Sequence, residues 1–222
     1  MALFRQDKGR AAQGQGPQAT GLAVEELRLL EAAVSKGDWE TVKRIASSTR
    51  HEAVGLRGVA AAAEKKRWDV LGVAARSARV ETVRVLARLE AVDAFMQAGK
   101  WDSVLEIGCY GTDAVAAYAV EKVAGKNEWE SVRYVGIYGG GKGALRAVEL
   151  LGKAGKWDLL CEVACNADDC GVAMHAVDVA AEAGRWMDVL RIGSGAKRPV
   201  ACHVADVIAE ANKGRQWKKP AE

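Results

Sequence analysis

Several stretches of the sequence carry residue types that do chemistry when they converge. Cys161, Cys165 and Cys170, with His175, Cys202 and His203 beyond them, offer the thiol and imidazole ligands of a metal or iron–sulfur site. Cys161 and Cys165 are four residues apart, so a helix would set them on one face. The paired Cys-x-x-Cys spacing of a zinc site is missing, and Cys165 holds the same place in its segment as Cys109 and Ser47. These thiols therefore read as small buried residues in close-packed helices, and no metal or cofactor is expected. His51 and the adjacent Cys202 and His203 assemble no dyad or triad, which leaves a catalytic nucleophile without support.

A second stretch, "GIYGGGKGA", has the spacing Gly136-x-x-x-x-Gly141-Lys142 of a phosphate loop. Gly143 stands where magnesium would need a Ser or Thr, and no strand precedes it, so a flexible connection between helices is the expectation. Charge offers a third kind of site. Arg50, Arg76, Arg79, Lys142, Lys197 and Arg198 recur in or beside "SSTRHE", "RSARVE", "YGGGKGA" and "GSGAKRP", interrupted by Asp113, Asp168 and Asp169. A basic edge broken by carboxylates suits a protein partner better than a phosphate backbone, which repels each acid.

What positions these residues is a repeat. The tryptophans Trp39, Trp68, Trp101, Trp129, Trp157, Trp186 and Trp217 follow one another at intervals of 29, 33, 28, 28, 29 and 31 residues. An acid follows each of the first six within two residues. The third residue after the Trp is Val42, Leu71, Val104, Val132, Leu160 or Val189, and the sixth is Ile45, Ala74, Ile107, Val135, Val163 or Ile192. That spacing is one apolar face of a short helix. Gly37, Gly99, Gly155 and Gly184 stand two residues before a Trp, and Asn127 takes the same place in another copy, as a left-handed helix terminator would. Each unit thus reads as helix, tight turn, Trp, helix and polar loop.

Two helices in about 30 residues cannot bury their apolar faces alone, so the units must stack. The expected fold is an all-α solenoid of about six two-helix repeats of 28–33 residues, roughly thirteen helices in all. Its N-terminal capping helix runs from Thr20 to about Ser35, with Glu25 and Glu26 near its start. The 33-residue interval implies one extra helical turn within "VETVRVLARLEAVDAFMQAGK". Residues 1–19, rich in Gln, Gly and Ala, read as a disordered arm, 20–217 as the repeat domain and 218–222 as a tail. A Trp in every unit is economical as a packing wedge between repeats, its indole N–H finding a carbonyl or the neighbouring acid.

"GALRAVELLGKAGKWDLLCEVA" and "AVDAFMQAGKWDSVLEI" resemble the short HEAT-like repeats of phycobilisome-lyase-type proteins, in which an Ala/Leu-rich helix ends in a Gly turn before a second helix. The resemblance spans about residues 30 to 215. It departs in carrying a Trp per unit and in lacking all but one approach, "VETVRVLA", to the Asp-x-x-Val-Arg start. The solenoid architecture makes an extended concave binding surface available, and no convergent acid–base pair or metal shell is visible in the chain. HEAT-like DNA glycosylases form a similar family that uses a Trp and an acid at the lesion, for which Trp101, Asp102 and Glu106 are the only offering here.

Composition sets the outer limits. Thirty-two basic against 29 acidic residues leave a net charge of only +3, no strong basic excess to mark a nucleic-acid binder, and half of the chain is apolar. Five cysteines, an odd number, argue against a full disulfide framework, and no secretory or membrane-spanning run appears. The sequence therefore leads to a cytoplasmic, non-enzymatic scaffold or adaptor for a protein or macromolecular assembly, with nucleic acid as the alternative partner and no membrane.

Overall fold

The computed structural model describes residues 21–213, so the expectations for the N-terminal arm, Thr20, Trp217 and the C-terminal tail lie outside the described residues. Within them the chain is all-helical: α1 (Gly21–Lys36), α2 (Trp39–Ser48), α3 (Glu52–Glu64), α4 (Trp68–Ser77), α5 (Glu81–Gln97), α6 (Trp101–Cys109), α7 (Asp113–Ala124), α8 (Trp129–Tyr138), α9 (Gly140–Lys153), α10 (Trp157–Asn166), α11 (Cys170–Glu182), α12 (Trp186–Gly195) and α13 (Arg198–Lys213). Each helix packs on its sequence neighbours and, α4 and α6 excepted, on the helix two along, so the odd-numbered helices form one layer and the even-numbered, Trp-led helices the other. This is an α-solenoid of two-helix repeats with α1 at its N-terminal end.

The repeat is set by its turns. The residue two before each Trp has left-handed backbone in all six units, with φ of 71° at Gly37, 54° at Lys66, 67° at Gly99, 61° at Asn127, 68° at Gly155 and 71° at Gly184. The next N–H then donates back to a carbonyl five residues earlier, as from Asp38 to Ala33 (2.9 Å), Lys100 to Phe95 (2.8 Å) and Arg185 to Ala180 (2.8 Å). This closure of the helix end supplies partners for carbonyls that would otherwise be left open. The Trp that follows is the first residue of the next helix, so the acid after it sits in the first turn, near the exposed amides, at Glu40, Asp69, Asp102, Glu130 and Asp158. In α1, Glu25 and Glu26 fall beyond the first turn.

The apolar stripe read from the sequence is the core. Val42, Leu71, Val104, Val132, Leu160 and Val189 are all fully buried. One turn on, Ala74, Val135, Val163 and Ile192 are fully buried and Ile45 nearly so, whereas Ile107 is only half-buried. That exception has a cause. Helix α5 is 17 residues long against 13, 12, 14 and 13 for α3, α7, α9 and α11, which is the extra turn the 33-residue interval requires. With that turn inserted, α4 and α6 do not pack as the other consecutive even-numbered helices do. The core divides at the same place, into one cluster from Leu30 to Ala94 and another from Val92 to Val204, with Phe95 and Ile107 against both.

Small residues let the layers approach closely. A Cβ on Gly136 would lie 2.7 Å from Ala147 Cβ, and one on Gly143 would lie 2.8 Å from Ala116 Cβ. Gly136 and Gly143 of "GIYGGGKGA" are therefore packing residues, and Gly140 takes left-handed backbone with φ of 80°. Gly140 to Gly143 open α9 and only Gly139 separates it from α8, which corrects the expectation of a flexible loop there.

Candidate functional site

The residues that first suggested metal or nucleophile chemistry do not converge. Cys161 is buried in α10, Cys165 is exposed one turn on, Cys170 begins α11 and Cys202 is exposed on α13. The exposure of Cys165 corrects its reading as a buried packing thiol. His203 Nε2 is 2.7 Å from Asp178 Oδ1, a pair joining α13 to α11. Among the described residues no group of three His, Cys, Asp or Glu side chains is set to hold a metal ion. Burial pushes the Cys109 thiol up to about 11 and the Cys161 thiol up to about 12, so both are protonated and poorly nucleophilic at neutral pH. Cys161 lies against Asp188, whose Oδ1 is 3.8 Å from the sulfur and whose Oδ2 accepts from Arg185 Nε at 2.8 Å. Asp188 is buried because "GRWMD" delays the acid by one residue and turns it inward, leaving Met187 exposed.

The phosphate-loop spacing is equally inert: Gly136 lies inside α8 and Lys142 in the first turn of α9, with a helix rather than a strand ahead of them. Trp101 and Glu106 are five residues apart on α6, hence about 140° apart around the helix, and do not share a face. The tryptophans Trp39, Trp68, Trp101, Trp129, Trp157 and Trp186 are half-buried against the core, all at the edge formed by the left-handed turns. Among the described residues no indole N–H donates within the protein, and no buried side-chain nitrogen or oxygen is left without a partner, so these N–H groups reach solvent. The residue before the next Trp covers two of the rings: the Arg67 guanidinium lies 5.0 Å from the Trp39 centroid and that of Arg185 5.5 Å from Trp157.

The opposite edge carries the basic residues. Arg50, Arg76, Arg79, Lys142, Lys197 and Arg198 are all exposed. Arg50, Arg79 and Lys197 lie in connections, while Arg76 ends α4, Lys142 is in the first turn of α9 and Arg198 begins α13, so helix ends contribute as much as loops. None of the six forms an ion pair with a described carboxylate; Lys197 Nζ donates to the Asp168 carbonyl at 3.3 Å. Tyr110 and Tyr138, at the ends of α6 and α8, are 79% and 60% exposed on the same edge, with the Tyr134 ring tilted 54° against that of Tyr138 at 4.8 Å between centroids. Exposed tyrosines among arginines are the composition of protein-binding hot spots.

One concavity interrupts this edge. Where α4 and α6 separate, a cleft of about 90 Å³ opens, with Gly72, Ala75 and Arg76 on one wall and Ser103, Glu106, Ile107 and Tyr110 on the other. Arg88 and Phe95 of α5 form its floor. Arg88 Nε donates to the Ala75 carbonyl at 3.0 Å, closing the end of α4, while the rest of its guanidinium has no carboxylate partner among the described residues. Burial, with Arg84 nearby, lowers the pKa of Arg88 from its ordinary value. Sequence reading missed the cleft although two signals mark it: the 33-residue interval and the glycine at Gly72. The equivalent fourth position after Trp is Lys43, Leu105, Arg133, Cys161 or Leu190 in the other units.

An all-α repeat solenoid is what fold and surface define. Comparison with protein-family models, curated proteins and solved structures finds no match to this chain. Among the described residues no helix is long and apolar enough to cross a membrane.

Proposed function

We propose that this protein is a non-enzymatic, cytoplasmic scaffold or adaptor of the HEAT-like repeat type, which binds a protein or macromolecular assembly through its concave helix face and the edge bearing Arg50, Arg76, Arg79, Lys142, Lys197 and Arg198. The observation that carries the reading is the state of that edge. Six cations stand exposed without carboxylate partners among the described residues, and the exposed tyrosines Tyr110 and Tyr138 lie beside them on the same edge. Asp113, Asp168 and Asp169 break the edge and favour a protein over a continuous phosphate backbone.

Capture on the tagged full chain from native lysate, with and without nuclease, tests this. A stoichiometric protein that survives nuclease is the expected result. Retention that consists mainly of nucleic acid, or protein partners that disappear with nuclease, would transfer the role of the edge to phosphate binding.

A further inference from the structure

We propose that the cleft between α4 and α6 is the seat for one acidic side chain of a protein ligand, an Asp or Glu flanked by an apolar residue; this rests on the scaffold reading above. The repeat itself argues for a dedicated site. Everywhere else along the Trp-led layer consecutive helices close on each other, and only here does an inserted turn hold them apart. The gap is also kept empty by Gly72, at a position that carries a side chain in every other unit. A Cβ at Gly72 would meet nothing nearer than an Arg76 guanidinium nitrogen at 3.9 Å, so packing does not require glycine there. Helix propensity also disfavours glycine there relative to alanine.

The lining specifies the ligand. Arg76 and Arg88 present guanidinium groups free of carboxylate partners among the described residues, and Glu106 offsets one of them, leaving one positive charge to complement. A guanidinium takes a carboxylate through paired N–H donors. Phe95, Ile107 and Ala75 add an apolar wall, Tyr110 an aromatic rim and Ser103 a hydroxyl. A volume of about 90 Å³ holds one side chain rather than a nucleotide, and Glu106 repels successive phosphates while accepting a peptide N–H.

The probe is a random heptapeptide library displayed on phage and panned on the immobilised full chain, with enriched peptides then synthesised and titrated by fluorescence anisotropy. Enriched peptides should share an Asp or Glu beside an aromatic or aliphatic residue. Their affinity should fall about tenfold or more with Arg76→Glu, with Gly72→Leu, and when the peptide acid is changed to its amide. Arg76 makes no hydrogen bond or ion pair with a described residue and Gly72→Leu favours helix, so both variants should keep the parent's circular dichroism and melting. No enrichment, enrichment without acids, equal binding to both variants, or tighter cleft-dependent binding of a ten-nucleotide oligothymidylate would each overturn the proposal. The same variants used in lysate capture separate the two readings. If they retain the parent's protein partner in full, the cleft fails and the scaffold stands; if the parent itself retains none, the scaffold fails and the peptide titration alone decides the cleft.

Discussion

Single positions in this array can be judged against five equivalents. Lys66 occupies the left-handed turn position that four units fill with Gly and one with Asn, and a side chain with a Cβ is strained there. Replacement by Gly relieves the strain while adding freedom to the unfolded chain, so Lys66→Gly should stabilise by about 0.5–1 kcal/mol, read as a higher urea midpoint with an unchanged slope. Trp157 is half-buried, which puts the cost of Trp157→Ala at about 2.5 kcal/mol, below the 3–5 kcal/mol of a fully enclosed ring. If equilibrium denaturation shows no loss, the ring contributes surface instead of packing. Burial holds the Cys161 thiol protonated, so in the native protein at pH 7 Ellman's reagent should modify exposed Cys202 first and reach Cys161 only as the chain unfolds.

Between elements, charge pairs link helices two apart within one layer. Arg57 joins Glu31 at 2.6 Å (α3 to α1), Lys122 joins Asp93 at 2.6 Å with the Tyr118 hydroxyl on the same carboxylate (α7 to α5), and Arg133 joins Glu162 at 3.0 Å (α8 to α10). The hydrogen bond from Arg57 holds Glu31 below the ordinary glutamate range. A carboxyl whose pKa is lowered on folding stabilises above its unfolded value and loses that contribution as pH falls through the folded one. Arg57→Met should therefore cost about 0.5 kcal/mol at pH 6, as suits a largely exposed pair, and the gap between variant and parent should close below about pH 4. Equal gaps at both pH values would assign the loss to packing of the arginine stem. Much at this scale was legible in the sequence: the Trp spacing placed every even-numbered helix and the extra turn in α5, because a period of 3.6 and a left-handed stop are local properties. The Lys66 turn was hidden by a residue type that carries no turn signal. Lys142 and the "GGGK" segment read as a loop because glycine marks flexibility and close helix approach alike, and only the distance to Ala116 tells which. The α4–α6 cleft depends on how an insertion in one layer displaces helices in the other, which no local pattern encodes.

At the scale of the whole molecule, a solenoid's stability is a sum of repeat and nearest-neighbour terms, so a weak interface becomes a boundary between folding units. Here the core narrows at α5 and α6, where Phe95 and Ile107 face both clusters and α4 and α6 do not pack as the other Trp-led pairs do. The segments on either side should therefore open separately. Leu30→Ala, which empties a fully buried site in the N-terminal cluster, should lower amide protection by about 2–5 kcal/mol equivalents in α1 to α4 and leave α8 to α12 unchanged. Leu160→Ala should do the reverse. Hydrogen exchange by mass spectrometry resolves the two groups of peptides directly. Protection lost throughout the chain in either variant would mean that α5 couples the halves rigidly despite the thinner core. Loss confined to one side would make the cleft a hinge between two stable blocks, and a ligand side chain wedged between α4 and α6 would then tie those blocks together, raising protection in α5 and α6 above that of the free protein.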